Sequence, residues 1–129
     1  MGLKLIRDKK PDMEWDNPGA KSLIKFVADD KIFSALLLQK LLEELGEFVL
    51  EFVSGSTEET LLAEAADVVE VLRAILDNEE IDPGQLEVIR RQKLQDQGGF
   101  TKRLAWGYTE RKPSDANQTA PDHLQRQGL

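Results

Sequence analysis

The chain has 129 residues, 40% of them hydrophobic and 32% charged, with a formal net charge of −7 and no cysteine. That length fits one domain with a modest core, which would gain from further burial in a dimer. The absent thiols exclude a disulfide framework and thiolate chemistry. The acidic balance argues against binding to a nucleic-acid polymer, which needs a basic face. No apolar signal run follows Met1, no stretch approaches membrane-spanning length, and Ile6 stands where a myristoylation motif needs Ser or Thr. The expectation is a cytoplasmic protein with no membrane association.

In chain order, residues 3–6 are short and apolar, and Pro11 with Asn17-Pro18-Gly19 marks loop. Residues 23–27 fit either a short strand or the start of a helix. A continuous helical pattern runs over about 30–53 and breaks at Ser54-Gly55. Ser56-Thr-Glu-Glu59 reads as a capping box that starts a second helix, ending near Asp77. Asp82-Pro83 supplies an N-cap and a proline at the first helical position, so a third helix is expected to about Gln97, stopped by Gly98-Gly99. The alternation of Phe100, Leu104, Trp106 and Tyr108 suits a short strand, able to pair with the N-terminal segment. The polar, proline-containing residues 109–129 read as a tail, disordered or extended across a partner subunit, after a folded domain over 1–108. His123, the single histidine, lies in that tail and is not expected to be catalytic.

The chemistry sits in two pairs of acids at one spacing, Glu44-Leu-Gly-Glu47 and Glu64-Ala-Ala-Asp67, on the first and second helices. Three residues apart, the carboxylates of a pair leave one helix face and can close on the same ion. At about 100° per residue, Glu64 falls in the middle of the stripe formed by Leu61, Val68, Val71 and Ile75, with Asp67 at its edge. An unpaired carboxylate there costs several kcal/mol unless a partner, a metal or a shifted pKa relieves it. On the first helix the apolar face is read as Leu38, Leu41, Leu45, Phe48 and Phe52. Beside it run Lys40, Glu44, Glu47 and Glu51, with Glu44 bordering the core. Either pair alone fits a solvated surface. Two pairs on successive helices, one of them on an apolar stripe, favour a site for a hard divalent cation such as Mg2+, and with it chemistry on phosphates.

Lys40-Leu-Leu-Glu43-Glu44-Leu-Gly-Glu47, followed by Leu62-Ala-Glu64-Ala-Ala-Asp67-Val-Val-Glu70, resembles the Glu-Glu-x-x-Glu and Glu-x-x-Asp motifs of the all-α nucleoside triphosphate pyrophosphohydrolases. This MazG-like superfamily includes phosphoribosyl-ATP pyrophosphohydrolase. Lys4-Leu-Ile-Arg7-Asp8-Lys9-Lys10-Pro11 is similar to the opening Lys-Leu-Val-Arg-Asp-Lys-Ile-Pro of a small stand-alone, house-cleaning branch. Gly98-Gly99-Phe100-Thr-Lys102-Arg103 resembles that branch's closing Gly-Gly-Phe-x-Lys-Arg. The likeness covers residues 3–106. It departs at Lys10, where the branch more often carries an apolar residue.

The resemblance implies a mainly all-α helical bundle completed by dimerisation or a higher homo-oligomer, with the active site near the interface. It implies Mg2+, for which Mn2+ substitutes, held by Glu44, Glu47, Glu64 and Asp67, with Glu43 orienting a water or helping to hold a second ion. Arg7, Lys9, Lys40, Lys102 and Arg103 are then the cations that steady the phosphates of a nucleoside triphosphate or phosphoribosyl-ATP-like substrate. The expected reaction is hydrolysis of the α–β phosphate bond to a monophosphate and pyrophosphate, in house-cleaning of noncanonical nucleotides. Phosphoribosyl-ATP hydrolysis in histidine biosynthesis uses the same carboxylates. A non-enzymatic helical dimer that binds a protein partner, its acids serving only solubility, is the alternative from a different class.

Overall fold

A computed structural model describes residues 2–13 and 18–107. Two short 3-10 turns, Lys10–Asp12 and Pro18–Leu23, precede three α-helices: α1 (Asp30–Val53), α2 (Glu58–Asn78) and α3 (Pro83–Gln97). The fold is all-α, and no strand forms among the described residues. The short β segments expected at the N-terminus and after the third helix are therefore corrected. The carbonyl of Leu3 accepts a hydrogen bond from the Gln39 side chain at 3.1 Å in place of a strand partner. Beyond α3 the chain turns back, with the Arg103 N–H on the Phe100 carbonyl at 3.1 Å and Arg103 at φ 59, which interrupts the alternation. Residues 24–29 are irregular after the second 3-10 turn. Tyr108 and the tail over 109–129 lie outside the described residues.

The chain divides into two compact units, Met1–Arg91 and Gln92–Leu129, with the boundary inside α3. In the first unit α1 and α2 form a helical hairpin. Asp29 caps α1 by accepting from the Ile32 N–H at 2.9 Å, which satisfies one of the four amides that a helix start leaves without partners. The hairpin loop is short because Gly55 takes a left-handed conformation, φ 74, which costs glycine little. Ser54 and Ser56 turn their hydroxyls back onto the Leu50 and Glu51 carbonyls. The cap of α2 is Thr57, whose side chain accepts from the Thr60 N–H. The cap thus falls one residue later than the Ser56 reading, and no reciprocal bond from Glu59 forms the box, because Ser56 is engaged in closing α1. At the far end Asn78 donates to Ser34 at 2.9 Å, tying the end of α2 to the start of α1 in an antiparallel pair.

Two stripes run along α1. The stripe that meets α2 is Leu37, Leu41, Glu44, Phe48 and Glu51, each at least half-buried. It faces Leu61, Glu64, Val68, Val71 and Ile75 on α2, the stripe read from the sequence, extended by Asn78. For α1 the reading holds at Leu41 and Phe48 and misses at Leu38, Leu45 and Phe52. Leu38, Leu45 and Phe52 point outward and, with Leu42 and Val49, build a second, wholly apolar stripe that stays exposed. The reason is physical: α1 is apolar on two faces, and periodicity cannot say which one meets α2. The observed orientation carries Glu44 into the helix interface. Leu36, Leu37 and Val71 are the buried apolar side chains of this hairpin, and Glu44 is the one buried charge among the described residues.

Candidate metal centre

Turning Glu44 into the α1–α2 interface places it opposite Glu64 and Asp67. One carboxylate oxygen from each of these three residues lies within 4.8 Å of the other two. Glu43, Glu44 and Glu47 form a second group at the same closeness, so Glu44 belongs to both. The five acids singled out in the sequence are thus brought together, by helical spacing within each pair and by the hairpin between pairs. Glu44 is 6% exposed and lies deeper than Glu64, the reverse of the expected order.

Cations meet this cluster from two directions. Lys40, one turn before Glu44 on α1, places its ammonium 3.1 Å from Glu44 Oε1 and 3.4 Å from Glu43 Oε1. From the N-terminal segment, Lys4 pairs with Glu43 at 2.8 Å and the Arg7 guanidinium pairs with Asp67 Oδ1. The hydrogen bond from Lys4, joined by the charge of Lys40 and acting against burial, holds the Glu43 carboxyl below its ordinary value. Lys4 is raised in return, first by that hydrogen bond and then by the Glu43 charge. Glu47 moves the opposite way. Although its side chain reaches the surface, loss of hydration and then the charges of Glu44, Glu64 and Glu43 push its carboxyl up.

Three cations against five carboxylates leave two negative charges in excess if all five ionise, the charge of one divalent ion. The buried oxygens Glu44 Oε2 and Glu64 Oε2, one from each helix, have no hydrogen-bond partner. An unsatisfied buried polar atom ordinarily costs about 1–3 kcal/mol, more when charged, and proteins keep such atoms where a ligand completes them. The donor set is all carboxylate, with no imidazole or thiolate in either group. Such oxygens suit Mg2+ or Mn2+ and do not select the softer metals. The residues present therefore fit a hard divalent cation.

The cations expected to bind phosphate divide. Arg7 and Lys40 touch the carboxylates directly. Lys9 is exposed at the start of the first 3-10 turn, where its carbonyl accepts from the Asp12 N–H. Lys102 and Arg103 lie in the turn of the second unit and are exposed. Two participants were not expected: Lys4, which opens the N-terminal motif and clamps Glu43, and Gln39, which carried no sequence signal and holds the Leu3 carbonyl. Among the described residues no helix is long and apolar enough to cross a membrane. No protein-family model, curated protein or solved structure matches the chain.

Proposed function

We propose that the protein is a Mg2+-dependent nucleoside triphosphate pyrophosphohydrolase that cleaves the α–β phosphate bond, releasing a monophosphate and pyrophosphate. The observation that carries this reading is the pair of partnerless buried oxygens, Glu44 Oε2 and Glu64 Oε2, facing across two helices within one carboxylate cluster. The resemblance of the Glu43-Glu44-x-x-Glu47 and Glu64-x-x-Asp67 motifs to the MazG-like superfamily supports the choice of substrate class.

In this reading Glu44, Glu47, Glu64 and Asp67 hold the metal, with Mn2+ able to substitute. A bound divalent ion supplies charge neutralisation on the phosphate oxygens and a more acidic water. The rest falls to the chain. Glu43, held ionised by Lys4 and Lys40, is a fixed acceptor at the edge of the cluster that can orient a water by its proton. Lys40 keeps Glu44 Oε1 engaged, while Glu44 Oε2 is buried without a hydrogen-bond partner. Arg7 and Lys9 are the cations of the first unit assigned to the phosphate chain, where guanidinium forks match phosphate oxygens; Lys102 and Arg103 enter this reading through the family resemblance alone. The exposed apolar stripe of α1 supports a homodimer formed by two such hairpins.

A panel of canonical and modified nucleoside triphosphates and phosphoribosyl-ATP, incubated with Mg2+ and resolved by chromatography, tests the reading. Monophosphate plus intact pyrophosphate is the expected outcome. Diphosphate plus orthophosphate would make the protein a phosphatase. No turnover of any member, together with no metal binding, would leave the non-enzymatic helical dimer.

A further inference from the structure

The N-terminal segment lies across the carboxylate cluster and is fastened to both helices of the hairpin. Its Leu3 carbonyl accepts from Gln39 and its Lys4 ammonium pairs with Glu43, both on α1. Three residues later, Arg7 pairs with Asp67 on α2. Three residues of chain reach at most about 10 Å, the separation of two packed helix axes at about 8–10 Å. The segment thus carries one cation to each helix, and the two are not equivalent. Glu43 is held by both Lys4 and Lys40 and stands outside the group of acids that spans the helices. Asp67 belongs to that group with Glu44 and Glu64, and its Oδ1 is occupied by the Arg7 guanidinium.

A divalent ion held by Asp67 competes with the Arg7 guanidinium for that carboxylate, because two cations on one carboxylate repel each other. Lys4 and Leu3 remain anchored when Arg7 lets go, because neither of their partners lies in the group that spans the helices. The Arg7 side chain is 61% exposed, so it can swing without breaking any packed core. Its released fork stays tethered beside the cluster, where a polyphosphate would lie. On the reading of the cluster as a metal site, we propose that Arg7 is a shuttle cation. It neutralises Asp67 while no metal is held, and is displaced by the metal to become a phosphate-binding group. Metal loading and phosphate capture are then coupled through one side chain, and the site presents its phosphate cation only when the ion is in place.

Calorimetry with Mn2+ alone, on the full chain and on Arg7→Gln, Arg7→Lys and Asp67→Asn, tests the exchange without any turnover. An exposed ion pair contributes up to about 1 kcal/mol, and tenfold in affinity corresponds to about 1.4 kcal/mol. Removing the competing guanidinium should therefore tighten Mn2+ binding by about two- to fivefold in Arg7→Gln. Arg7→Lys should stay near wild type, and Asp67→Asn should weaken binding. With Mn2+ saturating, inorganic pyrophosphate should bind about tenfold more weakly to Arg7→Gln than to wild type. Trypsin should cut after Arg7 faster once Mn2+ is added, while cutting after Lys9, which is unpaired with the cluster, keeps its rate. Mn2+ affinity in Arg7→Gln equal to or below wild type would overturn the exchange and leave the metal site standing. Unchanged pyrophosphate binding would overturn the hand-over. A wild-type protein that binds no Mn2+ would overturn the metal site and the shuttle together.

Discussion

Glu64 contributes a buried oxygen that nothing in the metal-free hairpin satisfies. Replacing it by Gln removes a charge at nearly constant volume, so Glu64→Gln should raise metal-free stability by about 1–2 kcal/mol. The same change should weaken Mg2+ binding, and thermal melts with and without the ion, followed by calorimetry, measure both. Equal melting of the two proteins without metal would show that the oxygen costs nothing. A second test concerns Glu87, whose carboxyl is held down to about 2 by hydrogen bonds from Arg90 and then Arg91. A depressed carboxyl favours the folded helix fully above the ordinary value of 4.5 and loses that contribution as pH falls through about 2. The carboxyl carbon of Glu87 should titrate in that low range by NMR and return toward 4.5 in the Arg90→Gln, Arg91→Gln double variant. Residues that act within one helix were legible in the sequence, since helical spacing alone pairs Glu44 with Glu47 and Glu64 with Asp67. Lys4 and Arg7 were not legible as partners of Glu43 and Asp67, because their contacts span tens of residues and no local rule encodes them.

At the level of elements, the two stop signals and the caps decide the hairpin. Gly55 has open space around the position of a Cβ, yet its φ of 74 lies in the left-handed region. Gly55→Ala should therefore cost about 1 kcal/mol through the backbone alone, and Thr57→Ala about 1 kcal/mol through the lost cap. Urea titrations of the single variants and of the pair check both. A loss well above the sum in the pair would mean that loop and cap act as one unit. The bounds of all three helices were readable because glycine, proline and capping residues punctuate them. The face of α1 was not, because a helix with leucines on two sides gives a periodicity that fits either orientation. Only the presence of α2 distinguishes Leu37 and Leu41, which face it, from Leu38 and Leu42, which do not. The strand reading of Phe100 to Trp106 failed for a related reason: alternation is a necessary sign of a strand, but pairing needs a neighbour, and the turn at Arg103 intervenes.

For the whole molecule, the decisive feature is how much apolar surface stays exposed among the described residues. Leu42 is 72% exposed and Phe52 67%, on a stripe continued by Leu38, Leu45 and Val49. Contiguous apolar surface of this kind marks an interface, and a second copy offers the same stripe in return, as two-fold association requires. Light scattering at micromolar concentration should therefore report a homodimer or larger. Leu42→Lys should shift the protein to monomer, since it puts a charge into the middle of the stripe. A wild-type monomer would refute the assembly.

The apolar burial of the hairpin is lopsided. Leu36, Leu37 and Val71 all lie in the half remote from the connecting loop, where Asn78 and Ser34 also meet. The loop half is held by a seam into which Glu44, Glu51 and Glu64 intrude. Two helices joined in this way come apart like a zipper from the weaker end, so the metal-free protein should breathe at the loop while its distant end stays shut. Amide hydrogen exchange should accordingly run faster over residues 46–64 than over 34–41 and 70–77. On the proposed reading of the cluster, Mg2+ held by acids of both helices should slow the loop half selectively. Ion release and the first step of unfolding would then be one and the same motion.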